Sequence, residues 1–141
     1  MTDPELTSRL DDVDWDALDA ALRADGFHNG RTPEEMRRSC ENSHRTVLAV
    51  LGGEVVSMGR VLSDGVGNAY LVDVWTASAH RRRGLAGRVV RELLDSVPGQ
   101  HVGLWTDDAG EFYETLGFTP QAGGMSLVVG RWLGRFTPPA P

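Results

Sequence analysis

The stretch SAHRRRGLAGRVVRELL (78–94) governs how the rest of the chain is read. Leu85, Val89, Val90, Leu93 and Leu94 recur at helical spacing, which predicts an amphipathic helix over 85–94. The first turn of a helix carries unsatisfied N–H groups and about half a positive charge. Cations are disfavoured there, yet Arg81, Arg82 and Arg83 stand directly before it, and no Ser, Thr, Asp or Asn caps it. Gly84 and Gly87 lack side chains and Ala86 is small, so another body can approach the backbone closely. A phosphate or pyrophosphate would accept the orphan N–H bonds and neutralise the arginines. A solvated basic turn with glycines for flexibility is the alternative reading of the same residues.

Working outward, AYLVDVWT (69–76) before the stretch and HVGLWT (101–106) after it read as strands. One helix joins them, so they are expected to be parallel neighbours. RTVLAVL (45–51) and EVVSMGRVL (54–62) flank Gly52-Gly53, a hairpin signal, and SDGVGN (63–68) is a second turn. Towards the N-terminus, Val13, Ala17, Leu18, Ala21 and Leu22 predict a helix over 11–24 with an acidic outer face. Thr32-Pro33-Glu34-Glu35 reads as N-cap, Pro at the first helical position and an acidic first turn, starting a helix over 33–42. DAGEFYETLG (108–117) predicts a short helix ended by Gly117, and GMSLVVGRWL (124–133) a closing strand. The order α-α-β-β-β-α-β-α-β implies a mixed α/β fold in a single domain, 1–141, with a frayed proline-rich tail over 135–141.

Bulk properties bound the function. A chain of 141 residues suits one domain with a proper core, and a net charge of -6 argues against a general nucleic-acid binder. No apolar run approaches the roughly 20 residues needed to span a bilayer. The acidic N-terminal stretch lacks the basic-then-apolar pattern of a secretory signal, and the lone Cys40 excludes an intrachain disulfide, so a cytoplasmic protein is expected. Cys40 reads as a buried structural thiol. The four histidines show no metal-ligand spacing, so no metal site is expected.

RRRGLA (81–86) resembles the Arg-or-Gln, x, x, Gly, x, Gly-or-Ala signature of the GNAT superfamily of N-acetyltransferases, and it falls where that superfamily has it, after the fourth strand. DAGEFYETLGF (108–118) resembles the superfamily's second signature. The segments before Arg81 further resemble a branch of small-molecule acetyltransferases with an Arg and an Asp on adjacent strands, so the likeness covers about 42–133. It implies a GNAT-like acyl-CoA N-acyltransferase fold: a central mixed sheet, splayed between its two parallel strands, with helices on both faces.

The resemblance also implies roles. Acetyl-CoA would be the cofactor. Backbone N–H groups from Arg82 through Leu85 and Ala86 to Gly87, with Arg81, Arg83 and Gly84, would cradle its pyrophosphate. Val74, Trp75 and Thr76 would pair strand-like with the pantetheine arm and polarise the thioester carbonyl. Tyr113 would protonate the departing CoA thiolate, a sensible task for a phenol of pKa about 10; its other reading is a core aromatic beside Phe112. Ser78, Arg82 and Thr76 depart mildly from the family pattern. The position of a strand glutamate used by some members holds Tyr70, so the general base is open. Asp73, expected on the opposite face from Tyr70, either relays an amine proton or holds a cationic substrate, or else is a structural acceptor paired with Arg60.

The expected activity is direct transfer of acetyl from acetyl-CoA to a primary amine of a small molecule. Asp64, Asp73, Asp107 and Asp108, if clustered, would favour a cationic acceptor, with Arg60, Asp64 and Trp105 on the substrate side. A non-catalytic acyl-CoA sensor and a protein N-terminal or lysine acetyltransferase are the rival readings. Pairing of the last strand with a second copy would give a homodimer.

Overall fold

Residues 3–136 are described by a computed structural model. They form two compact units, one ending at Trp105 and one beginning at Thr106.

The first unit is built on a five-stranded sheet in the order β1-β2-β3-β4-β5: β1 (Glu5–Thr7), β2 (Arg45–Leu51), β3 (Glu54–Ser63), β4 (Asn68–Thr76) and β5 (His101–Gly103). Neighbours are antiparallel except β4 and β5, which are parallel, as a single helical crossover requires. Helix α1 (Trp15–Ala24) begins four residues later than its apolar periodicity suggests. The reason is local: Asp14 adopts an extended conformation and its side chain accepts from the Ala17 N–H, ending the helix there. Helix α2 (Pro33–Glu41) starts with a full capping box between Thr32 and Glu35.

The helices cover both faces of the sheet. Leu18 and Leu22 of α1 and Met36 and Cys40 of α2 pack on Leu48, Met58 and Trp75. On the other face lies α3 (Leu85–Asp95), with Val89, Val90 and Leu93 fully buried, as are Val47 and Val61 of the strands beneath. Gly59 sits where α3 crosses β3. A Cβ there would lie 2.9 Å from Leu93 Cδ1 and 3.1 Å from Val89 Cγ1, so only glycine lets the helix come this close.

One feature of the sheet differs from the expectation and another follows it. The three-residue β1 adds a strand at the edge, which makes Asn68–Thr76 the fourth strand; so short a segment carries no readable period. The β4–β5 ladder contains only Asn68↔His101, Ala69↔Val102 and Tyr70↔Gly103. Beyond Tyr70, β4 continues to Thr76 without β5 beside it, which is the expected splay.

The second unit contains α4 (Gly110–Thr115), closed by Gly117 at φ 98. The strand expected over 124–133 is not there. Met125, Leu127 and Val129 are 91%, 85% and 88% exposed, and the described part of the segment holds only the isolated bridge Trp132↔Phe136. The β-propensity of Leu-Val-Val reflects packing on a pleated surface, and no described strand supplies one. Positive φ at Gly123 and Gly130 further interrupts an extended run. The edge on which pairing with a second copy was expected is therefore not formed as a strand. Of the tail expected to fray, 137–141 lies outside the described residues.

Gly59→Ala is expected to destabilise the protein by about 1–3 kcal/mol through overpacking against α3. Urea unfolding with an unchanged midpoint would contradict that.

Candidate active site

After Thr76 the chain makes a short 3-10 turn, Ser78–His80, and reaches the arginines. Arg82 has φ 64 and Gly84 φ 76, so left-handed residues curl the backbone just before α3. Gly84 is the N-cap and supplies no side-chain cap bond. The first helical bond runs from the Arg88 N–H to the Gly84 carbonyl, which leaves the Leu85, Ala86 and Gly87 N–H groups facing out of the helix end. Arg82 and Arg83 are exposed, and no ion pair holds them among the described residues. Arg81 is employed differently. Its Nε donates to the Thr76 carbonyl and its guanidinium lies 3.7 Å from Asp25, so its side chain braces the loop.

Asp25 was not visible as a site residue in the sequence. It closes α1 as C-cap, and its carboxylate accepts from Trp75 Nε1 at 2.9 Å and from the Ser78 hydroxyl. These two bonds, Ser78 first, hold its carboxyl below the usual range. The end of α1 is thereby tied to the end of β4 and to the loop that follows. Trp75 is consequently a core residue whose indole is buried, whereas Trp105 is 64% exposed and meets Tyr70 edge-on at 6.1 Å between centroids.

In the middle of β4 the pairing is irregular. Arg60 faces Val72 and Met58 faces Trp75, so Asp73 and Val74 together oppose Gly59. This is a β-bulge, and Asp73 sits in it at φ 57. The bulge corrects the expectation that Asp73 and Tyr70 lie on opposite faces. Tyr70 pairs with Leu62, which shares a face with Arg60, and Asp73 turns its carboxylate to that same Arg60. Arg60 Nε donates to Asp73 Oδ2 at 2.7 Å, while Arg31 grips both carboxylate oxygens at 2.6 and 3.0 Å. The Asp73 and Arg31 side chains are only 9% and 5% exposed. Burial pushes the Asp73 carboxyl up, but the Arg31 bonds and the Arg60 charge outweigh it and hold the group below the usual carboxylate range. A carboxylate so paired is a weak proton acceptor; the structural reading of Asp73 fits it and the general-base reading does not.

Asp64 is occupied too. Its Oδ1 accepts from the Val66, Gly67 and Asn68 N–H groups, which shapes the β3–β4 turn at the other end of β4 from the arginine loop. An acidic cluster of Asp64 with Asp73, the ground for expecting a cationic acceptor, is not formed. Arg60 serves Asp73 and Ser43. Cys40 is buried, with its thiol pushed up to about 11 by desolvation, an inert group. Within the second unit, Tyr113 packs edge-on against Phe112 and Phe118 at 4.9 and 5.7 Å, and burial raises its pKa, so it keeps its proton at neutral pH.

A family model described as the acetyltransferase (GNAT) family matches residues 12–118. The chain belongs to the GNAT family of acetyltransferases. Acyl transfer is the chemistry of that family. No curated protein matches the chain. Among solved structures, the chain resembles a candidate acetyltransferase from Deinococcus radiodurans R1 at 28% identity and TM-score 0.79, covering 90% of this chain and 89% of that one. A candidate GNAT acetyltransferase from Xanthomonas campestris pv. campestris is similar at 23% identity and TM-score 0.78, with coverage of 92% and 95%. An aminoglycoside acetyltransferase from an uncultured soil metagenomic sample shares the fold at 22% identity and TM-score 0.67, with coverage of 92% and 100%. Among the described residues no helix is long and apolar enough to cross a membrane.

Asp73→Asn is expected to cost about 3–5 kcal/mol, because two buried guanidiniums lose their counter-charge. The native Asp73 pKa is depressed, so its contribution is present above the unfolded value of about 3.9 and is lost as pH falls through the lower folded value. Acid unfolding followed by circular dichroism is expected to be steeper for wild type than for the Asn variant. Parallel acid profiles would contradict the assignment.

Proposed function

We propose that this chain is an N-acetyltransferase that moves the acetyl group of acetyl-CoA directly to a primary amine of a small molecule. The observation that carries the proposal is the uncapped start of α3, where three N–H groups emerge beside Arg82 and Arg83, exposed residues that no ion pair holds among the described residues. A pyrophosphate satisfies all of these groups at once. The β4 edge from Leu71 to Thr76 has no β5 ladder, which leaves backbone amides for the pantetheine arm.

In this reading the amine loses its proton to water and attacks the thioester carbon. An amide of the β4 bulge stabilises the oxyanion, and the carbonyl re-forms as the carbon–sulfur bond breaks. Tyr113, protonated at neutral pH, gives its proton to the thiolate. The role of Tyr113 rests on the FYETLGF likeness and its protonation state.

Isothermal calorimetry with CoA, followed by free-thiol release from acetyl-CoA over a panel of primary amines, tests the proposal. Wild type is expected to bind CoA and to acetylate at least one amine, with kcat about 100-fold lower in Tyr113→Phe and an unchanged Kd. Binding without turnover of any amine would favour an acyl-CoA sensor instead, and turnover confined to peptide substrates a protein acetyltransferase.

A further inference from the structure

The α1–α2 connection, 25–32, is tied to β4 at its start by Asp25 and near its end by Arg31, a side chain that no catalytic role explains. Arg31 is almost wholly buried, donates from both terminal nitrogens to Asp73, and donates from Nε to the His28 carbonyl at 3.1 Å. Its own carbonyl accepts from Arg23, which Asp19 in turn holds at 2.6 Å. Left-handed turns at Gly26, Asn29 and Gly30 bend the connection so that Arg31 reaches the sheet. What it grips is a strained residue. Asp73 is a non-glycine in the left-handed region, a conformation uncommon within a strand and held here by two guanidiniums. Asp73 and Val74 have no register partner in β3, so the Asp73 dihedral angles set the orientation of the peptide between them.

We propose that Arg31 is a positioning residue: from the α1–α2 connection it locks Asp73 in its left-handed conformation and so fixes the direction of the Val74 amide that polarises the thioester carbonyl. Arg60 belongs to β3 and moves with the sheet, whereas Arg31 is the grip from outside it. The inference rests on the proposed acetyl transfer. It adds that the connection between the first two helices controls the geometry of the thioester site. A purely structural buried ion pair would alter stability without altering the electronic state of a bound thioester.

Infrared difference spectroscopy of acetyl-CoA carrying 13C at the thioester carbonyl, bound to the full chain, separates the two. Calorimetry on the same samples reports affinity. In wild type the carbonyl stretch is expected to shift to lower frequency on binding. In Arg31→Lys, which keeps the charge and loses the bidentate grip, the shift is expected to shrink with Kd unchanged, and any measurable kcat to fall by up to about 100-fold. In Arg31→Met/Asp73→Gly the shift is expected to return, because glycine takes the left-handed conformation without a clamp. A wild-type complex without a shift, or a full shift in Arg31→Lys, overturns the proposal. So does an Arg31→Met/Asp73→Gly variant that folds, binds and shows no shift. Failure of wild type to bind acetyl-CoA at all overturns the proposed function, and this inference with it.

Discussion

A buried carboxylate between two guanidiniums is the interaction on which the rest of the first unit depends. Ordering Asp73, Arg31 and Arg60 carries a desolvation cost that a hydrophobic cluster would not incur. What it secures is shape. Asp73 stays left-handed, β4 bulges opposite Gly59, and the strand bends where β5 has already ended. The missing Cβ of Gly59 lets Leu93 and Val89 of α3 settle against the same point from the other face. One irregularity of the sheet thus has an ionic clamp on one side and a close helix contact on the other.

The arginine loop inherits its position from this arrangement. Asp25 joins the end of α1 to Trp75 and Ser78, and Arg81 closes the ring through Asp25 and the Thr76 carbonyl. Three consecutive arginines therefore divide their work. The first braces the loop, while the second and third remain available beside the exposed N–H groups of α3. Such an end is a ready anion site because the backbone dipoles and the guanidinium charges act in one direction.

The sequence carried the parts whose signals are local. The α3 periodicity, the Thr32 N-cap, the Gly52-Gly53 hairpin and the glycine after α4 all depend on residues within a few positions, and all formed. Parts set by distant partners were less legible. Arg31 lies 42 residues from Asp73, and nothing in HNGRT marks it as a ligand for a strand carboxylate. Asp25 reads as the end of a helix and acts 50 residues onward. The bulge reversed the face assigned to Asp73, since alternation presumes an unbroken ladder. Over 124–133, β-forming residues lacked the described partner strand that would make them one. Signatures drew attention to the loop before α3; the bracing role of Arg81 depends on Asp25 and the Thr76 carbonyl and is not legible in the run of three arginines.

The central claim is that the open end of α3 grips a diphosphate. Two-dimensional amide NMR during titration with CoA tests it most directly. The Leu85, Ala86 and Gly87 resonances are expected to move furthest and to saturate together, with the apparent affinity falling as salt is raised. Saturable binding of CoA that leaves those three amides in place, or is indifferent to salt, would contradict the account.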